Sequence, residues 1–135
     1  MSLIEDLKNT RRILEERGRC VGNLEIFDGR VCLDGAIALA CTGQAKYFAL
    51  TKNESAAAVV DAIYEQVKDH VLSYRGGRTI ADSVGIYHND AHGRSNGVWM
   101  YNDDTGITDQ DVYDVVDRAI GVAVKKETAN ESTAS

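Results

Sequence analysis

The sequence predicts a mainly α protein with a minor β-hairpin, folded as a compact bundle of about five helical segments. Three observations lead there. Apolar residues recur at three- and four-residue spacing in several stretches, the period of a helix with one buried face. Helix-capping residues stand ahead of most of those stretches, and glycines follow several of them. The 135 residues contain 12 glycines and no proline, so glycine supplies the turns.

The first helix begins at a capping box, Ser2 with Glu5, which satisfies amide groups that a helix start leaves unpaired. Leu3, Leu7 and Leu14 fall on one face, with Ile4 beside them, and Gly18 stops the helix. An Asp28-Gly29 pair then separates two apolar runs within Leu24 to Leu33, a strong short-range hairpin signal. Asp34 to Cys41 is alanine-rich and apolar, suited to a short buried helix that ends at Gly43.

Asn53 caps a long helix running to about Arg75, with Val59, Val60, Ile63, Tyr64, Val67 and Val71 as its apolar stripe. Gly76-Gly77 ends it. Thr79 with Asp82 opens another helix, ending near Asn89. His92 to Gly97 reads as a loop, and Val98 to Tyr101 as either a strand or a wedge packed on the core. Thr108 with Asp111 caps the last helix, whose stripe is Val112, Val115, Val116, Ala119, Ile120 and Ala123. One globular domain over 1–124 is expected. Residues 125–135 turn polar and read as a disordered tail.

Charge narrows the functional classes. The net charge is −6, which argues against nucleic-acid binding through bulk electrostatics. Arg11, Arg12, Arg17 and Arg19 cluster, but Glu5, Asp6, Glu15 and Glu16 lie among them, so a solvated face of mixed charge is expected. The sequence offers no apolar run of membrane-spanning length and no signal-peptide pattern. Three cysteines in such a chain suggest a reducing compartment, the cytoplasm.

Two stretches carry a resemblance. One is Gly18 to Asn23 followed by Asp28 to Ala36, containing Cys32-Leu33-Asp34-Gly35-Ala36. The other is Tyr101-Asn102-Asp103, then Thr108 to Val112, ending Val116-Asp117-Arg118-Ala119-Ile120. Their order and spacing over residues 3–121 resemble an uncharacterised domain family of actinobacteria and their bacteriophages, with its Cys-Leu-x-Gly-Ala and aromatic-Asn-Asp motifs. Arg19 or Cys20 stands where that family usually has tryptophan. Ile86 to Asp90 offers a second aromatic-Asn-Asp candidate. The resemblance implies a compact fold and a bacterial or phage origin, and supplies no activity.

The candidate chemistry is sparse. Cys32 precedes a helix, whose dipole favours a thiolate, and His88 or His92 are candidate bases. Against this, Cys32 lies between Val31 and Leu33, as a buried apolar residue would. His88 and His92 are four apart, but Asn89 stands where a zinc metalloprotease helix needs glutamate, and no C-x-x-C pair occurs. No metal site or cofactor is therefore expected. Asn102-Asp103-Asp104-Thr105-Gly106 fails as a calcium loop because Tyr101 and Val112 would fill its first and twelfth positions. Asn102 and Asp103 remain as binding candidates. So do Arg75 and Arg78, which flank two glycines ahead of a helix start able to hold an anion.

With no catalytic set complete, the expected function is that of a small accessory protein binding a protein partner. A thiol-dependent hydrolase or transferase using Cys32 with His88 or His92 is the alternative.

Overall fold

A computed structural model describes residues 2–73 and 91–134, with side chains described over 2–71 and 93–130. Six helices occur among these residues: α1 (Leu3–Arg17), α2 (Leu33–Thr42), α3 (Tyr47–Lys52), α4 (Glu54–Ser73), α5 (Ala91–Asp103) and α6 (Asp109–Ala134).

The caps act as the sequence indicates. Ser2 Oγ accepts from Glu5 N at 3.2 Å, and Asn53 Oδ1 accepts from Ala56 N at 2.9 Å. At α6 the box closes in both directions. Asp111 N donates to Thr108 Oγ1 at 3.1 Å, and Thr108 N donates to Asp111 Oδ2 at 3.0 Å. Gly43 ends α2 in the left-handed region at φ +80°, where a Cβ would be strained.

Most of each predicted stripe is buried. Leu7 and Leu14 of α1, Val59, Val60, Ile63, Tyr64, Val67 and Val71 of α4, and Val112, Val115, Val116 and Ala119 of α6 share one core with Leu33, Ala36 and Ile37 of α2, while Leu3, Ile120 and Ala123 are partly buried against it. Helix α1 packs between α2 and α6, α4 lies against α5 and α6, and α3 bridges α2 and α4. Arg11 ties α1 to α6. Its guanidinium sits 4.2 Å from the Tyr113 ring centre and bonds Asp117 at 3.2 Å.

Two expectations are corrected. The first is the hairpin at Asp28-Gly29. The chain does turn there, with Gly29 at φ +93° and Ile26 N donating to Arg30 O at 3.0 Å. No strand forms among the described residues, however; Val31 makes only isolated bridges to Arg19 and Glu25. Val31 N donates to Gly18 O and Cys32 N to Leu24 O, so the chain after the turn bonds to two different segments rather than to one continuous partner.

The second concerns His92 to Tyr101, read as a loop and then a strand or wedge, which instead lies within α5. Gly93, Ser95, Asn96, Gly97 and Val98 of α5 are all buried. A Cβ at Gly97 would stand 2.5 Å from Tyr64 Cε1, so the glycine lets α5 approach α4 closely. Close packing outweighs the helix-propensity cost of glycine, about 1 kcal/mol.

Helix α6 continues to Ala134. Val124 to Asn130 are all exposed along it. The helix expected over residues 79–89 lies outside the described residues. Among the described residues, no helix is long and apolar enough to cross a membrane.

Candidate functional site

The connection from α1 to α2 is held by side chains more than by strand pairing. Asn102, completely buried near the end of α5, accepts from Leu33 N through Oδ1 at 3.1 Å and donates through Nδ2 to Cys20 O at 3.1 Å. The same Nδ2 reaches Asp103 Oδ1 at 2.9 Å, and Gly22 N donates to that oxygen at 3.1 Å. One Asn-Asp pair therefore fastens the connection to α5 at both ends.

Arg19 fastens it a third time. Its guanidinium donates to Asn102 O at 2.5 Å, to Ile107 O at 2.9 Å and to Asp109 Oδ1 at 2.7 Å. The carbonyls at a helix C-terminus lack intrahelical partners, and a cation there satisfies them. Arg19 is thus largely buried, rather than part of the solvated face expected for the N-terminal arginines.

Behind these contacts lies a cavity of about 220 Å³, lined by Gly22, Asn23, Leu24, Cys32, Asp34, Tyr47, Trp99 and Asp103. Its aromatic wall is fixed by Asn96, whose Oδ1 accepts from Trp99 Nε1 at 3.1 Å and from the Tyr47 hydroxyl at 3.3 Å. Gly35 lets the lining residue Leu24 pack against α2. A Cβ there would lie 1.9 Å from Leu24 O, so only glycine lets α2 press against the connection.

Asp34 is the most unusual residue in the cavity. It is completely buried. Ser95 Oγ donates to Oδ2 at 3.2 Å, while Oδ1 is also buried and has no hydrogen-bond partner among the described residues. Burial pushes its carboxyl up to about 8; the Ser95 hydrogen bond opposes this and the nearby Asp103 charge adds to it.

Cys32 caps α2, with Sγ accepting from Gly35 N at 3.3 Å. Its thiol is pushed up to about 12, first by burial and then by Asp34, while the Gly35 hydrogen bond pulls the other way. The helix N-terminus expected to favour a thiolate is present, but desolvation outweighs it. At neutral pH the group is a thiol. Cys20, also buried and raised chiefly by burial, directs its Sγ to Asn23 O at 3.3 Å.

A family of unknown function, DUF6197, matches residues 1–122. The chain belongs to this family. No curated protein and no solved structure matches it significantly. In this DUF6197 chain the two motifs that carried the resemblance meet, because Leu33 of the first bonds Asn102 of the second.

Of the residues singled out from sequence, Cys32, Asn102 and Asp103 come together. His88, Arg75 and Arg78 lie outside the described residues. His92 falls in α5, and its side chain lies outside those described. Among the described residues, no three metal-ligating side chains cluster. Sequence reasoning missed Asp34, Tyr47, Asn96, Trp99 and the anchoring role of Arg19. The one available signal was a lone acid inside the apolar run Leu33 to Cys41.

Proposed function

We propose that this chain is a non-enzymatic accessory protein that binds a protein partner on the face around the cavity. The observation that carries the reading is apolar surface left in water beside it. Phe27 is fully exposed, Phe48 is 69% exposed and Val21 is 53% exposed. Val21 and Phe48 are the sequence neighbours of Gly22 and Tyr47 of the lining, and Phe27 lies on the same connection as Leu24. Large apolar side chains left exposed on the segments that form a concave, partly polar pocket mark a candidate protein-binding surface. Asp34 and Asp103 of the lining set the partner's chemistry as a basic segment with apolar neighbours, the cation drawing Asp34 into its ionised form.

The neutral, buried thiol of Cys32 supports binding over thiol chemistry. The motif resemblance adds an actinobacterial or phage setting, and with it action in the cytoplasm, the host's where a phage encodes the chain.

Selection from a displayed random-peptide library tests the reading. Peptides combining basic and apolar residues are expected to enrich on the native chain and to be lost on a Phe27→Ser/Phe48→Ser double variant. Both side chains are solvent-exposed, so the variant keeps its fold. Equal recovery on the two proteins, or no enrichment, would overturn the proposal.

A further inference from the structure

The cavity holds an unmet demand. A carboxyl oxygen of Asp34 is removed from water without a partner among the described residues, which costs about 1–3 kcal/mol or more for a group of this kind. Asp103 also lines the cavity, and the hydrogen bonds described for it all use Oδ1. Among the described residues, no lysine or arginine lines the cavity to answer either acid. The remaining groups are Tyr47 and Trp99, whose ring faces attract cations, and Cys32, Asn23, Gly22 and Leu24.

The volume narrows the ligand. At about 220 Å³ the cavity is smaller than the roughly 300–1,000 Å³ of ordinary cofactor and drug sites. One long side chain suits it; a nucleotide does not. Guanidinium is the better cation here, since it is planar, stacks on aromatic rings and pairs with carboxylates through two parallel N–H donors.

Building on the partner-binding reading, we infer that the cavity is the socket for an arginine side chain of the protein partner, with Asp34 and Asp103 accepting from its guanidinium and Trp99 and Tyr47 flanking it. The groups facing Asp34 are Ser95 and Asp103 of α5 and Cys32 at the cap of α2. The cation binds the ionised form of Asp34, so docking releases a proton. Affinity therefore rises with pH while Asp34 titrates.

Trp99 is the sole tryptophan, so its fluorescence reports on the cavity alone. The experiment titrates the full chain with capped Ala-Arg-Ala, capped Ala-citrulline-Ala and agmatine, at pH 6.5 and 8.0. The arginine peptide is expected to give a saturable change in Trp99 emission. The citrulline peptide, equal in shape but uncharged, should bind at least tenfold more weakly. Binding should tighten about tenfold between the two pH values, as follows for a carboxyl ionising near the upper one. Asp34→Asn should lose the charge preference and the pH dependence while thermal unfolding shows an intact fold, and Asp103→Asn should weaken binding independently. Equal binding of arginine and citrulline peptides, or an unchanged Asp34→Asn, overturns the inference. Agmatine binding as tightly as the peptide also overturns it, by assigning the socket to a free guanidinium compound. Selected peptides that need Phe27 and Phe48 but contain no arginine would remove the socket and leave the partner-binding reading standing.

Discussion

The side chain of Asn102 holds the connection ahead of α2 through three hydrogen bonds. It satisfies the Leu33 amide, one of the groups a helix start leaves without an intrahelical partner, and the Cys20 carbonyl across the same connection. Asn102→Ala leaves both buried and unpaired, at about 1–3 kcal/mol each. A total loss of about 3 kcal/mol is expected in urea denaturation, and a loss below about 1 kcal/mol would show that another group takes over. The cysteines make a separate prediction at this scale. Cys41 is half-buried with its thiol pushed up to about 11 by burial and then by Asp6, whereas Cys32 is 4% exposed. Iodoacetamide on the native protein at neutral pH, followed by peptide mass mapping, should modify Cys41 first and Cys32 only after unfolding. Cys32 reacting first would restore the thiol-enzyme alternative.

Helices announced themselves in proportion to how one-sided they are. Helices α1, α4 and α6 bury a stripe and solvate the rest, so period and caps were legible together. Thr108→Ala is expected to cost about 1 kcal/mol of stability, the usual value of such a cap, with Asn53→Ala similar. Helix α5 was illegible for the opposite reason. Gly93, Ser95, Asn96 and Gly97 are buried although glycine and polar residues signal a loop, because their small size and hydrogen bonds suit a helix pressed against α4. The Asp28-Gly29 signal was right about a turn and wrong about strands, since turn chemistry is local and strand pairing depends on distant partners. The site followed the same division. Cys32, Asn102 and Asp103 stood out in short motifs, whereas the burial of Asp34 and the Arg19 anchor arise from contacts 61 and up to 90 residues apart. At the far end of α6, Val124 to Asn130 are all exposed. Truncation before Glu127 should change stability by less than about 0.5 kcal/mol, as for other changes to exposed surface, and a larger loss would mean the terminal turns pack on the body.

At the scale of the whole molecule, Asp34 ties folding to pH. The carboxyl ionises near the ordinary 3.8 in the unfolded chain and near 8 in the folded one, where burial favours the protonated form. Below 3.8 both states hold the proton, and Asp34 introduces no pH dependence. Between about 4 and 8 the unfolded chain releases it and the folded chain retains it, so stability falls as pH rises, by up to about 1.4 kcal/mol per unit. Above the folded value both states are ionised and the decline stops. Asp28 and Asp111 act in the other direction and at lower pH. Backbone amides of Arg30 and Thr108 hold their carboxyls below the ordinary range, so the stability they lend is lost on acidification. Together these effects place the maximum near the acid end of the window, with a decline toward pH 8. Urea denaturation at pH 5, 6, 7 and 8 measures the slope. Asp34→Asn, close to the carboxyl in size and unable to ionise, should flatten it and be the more stable protein at pH 8. A variant that keeps the native slope would show that the carboxyl is not the group responsible. A saturating arginine peptide should flatten the native slope as well, because a cation in the socket lets the folded chain release the proton that burial otherwise retains.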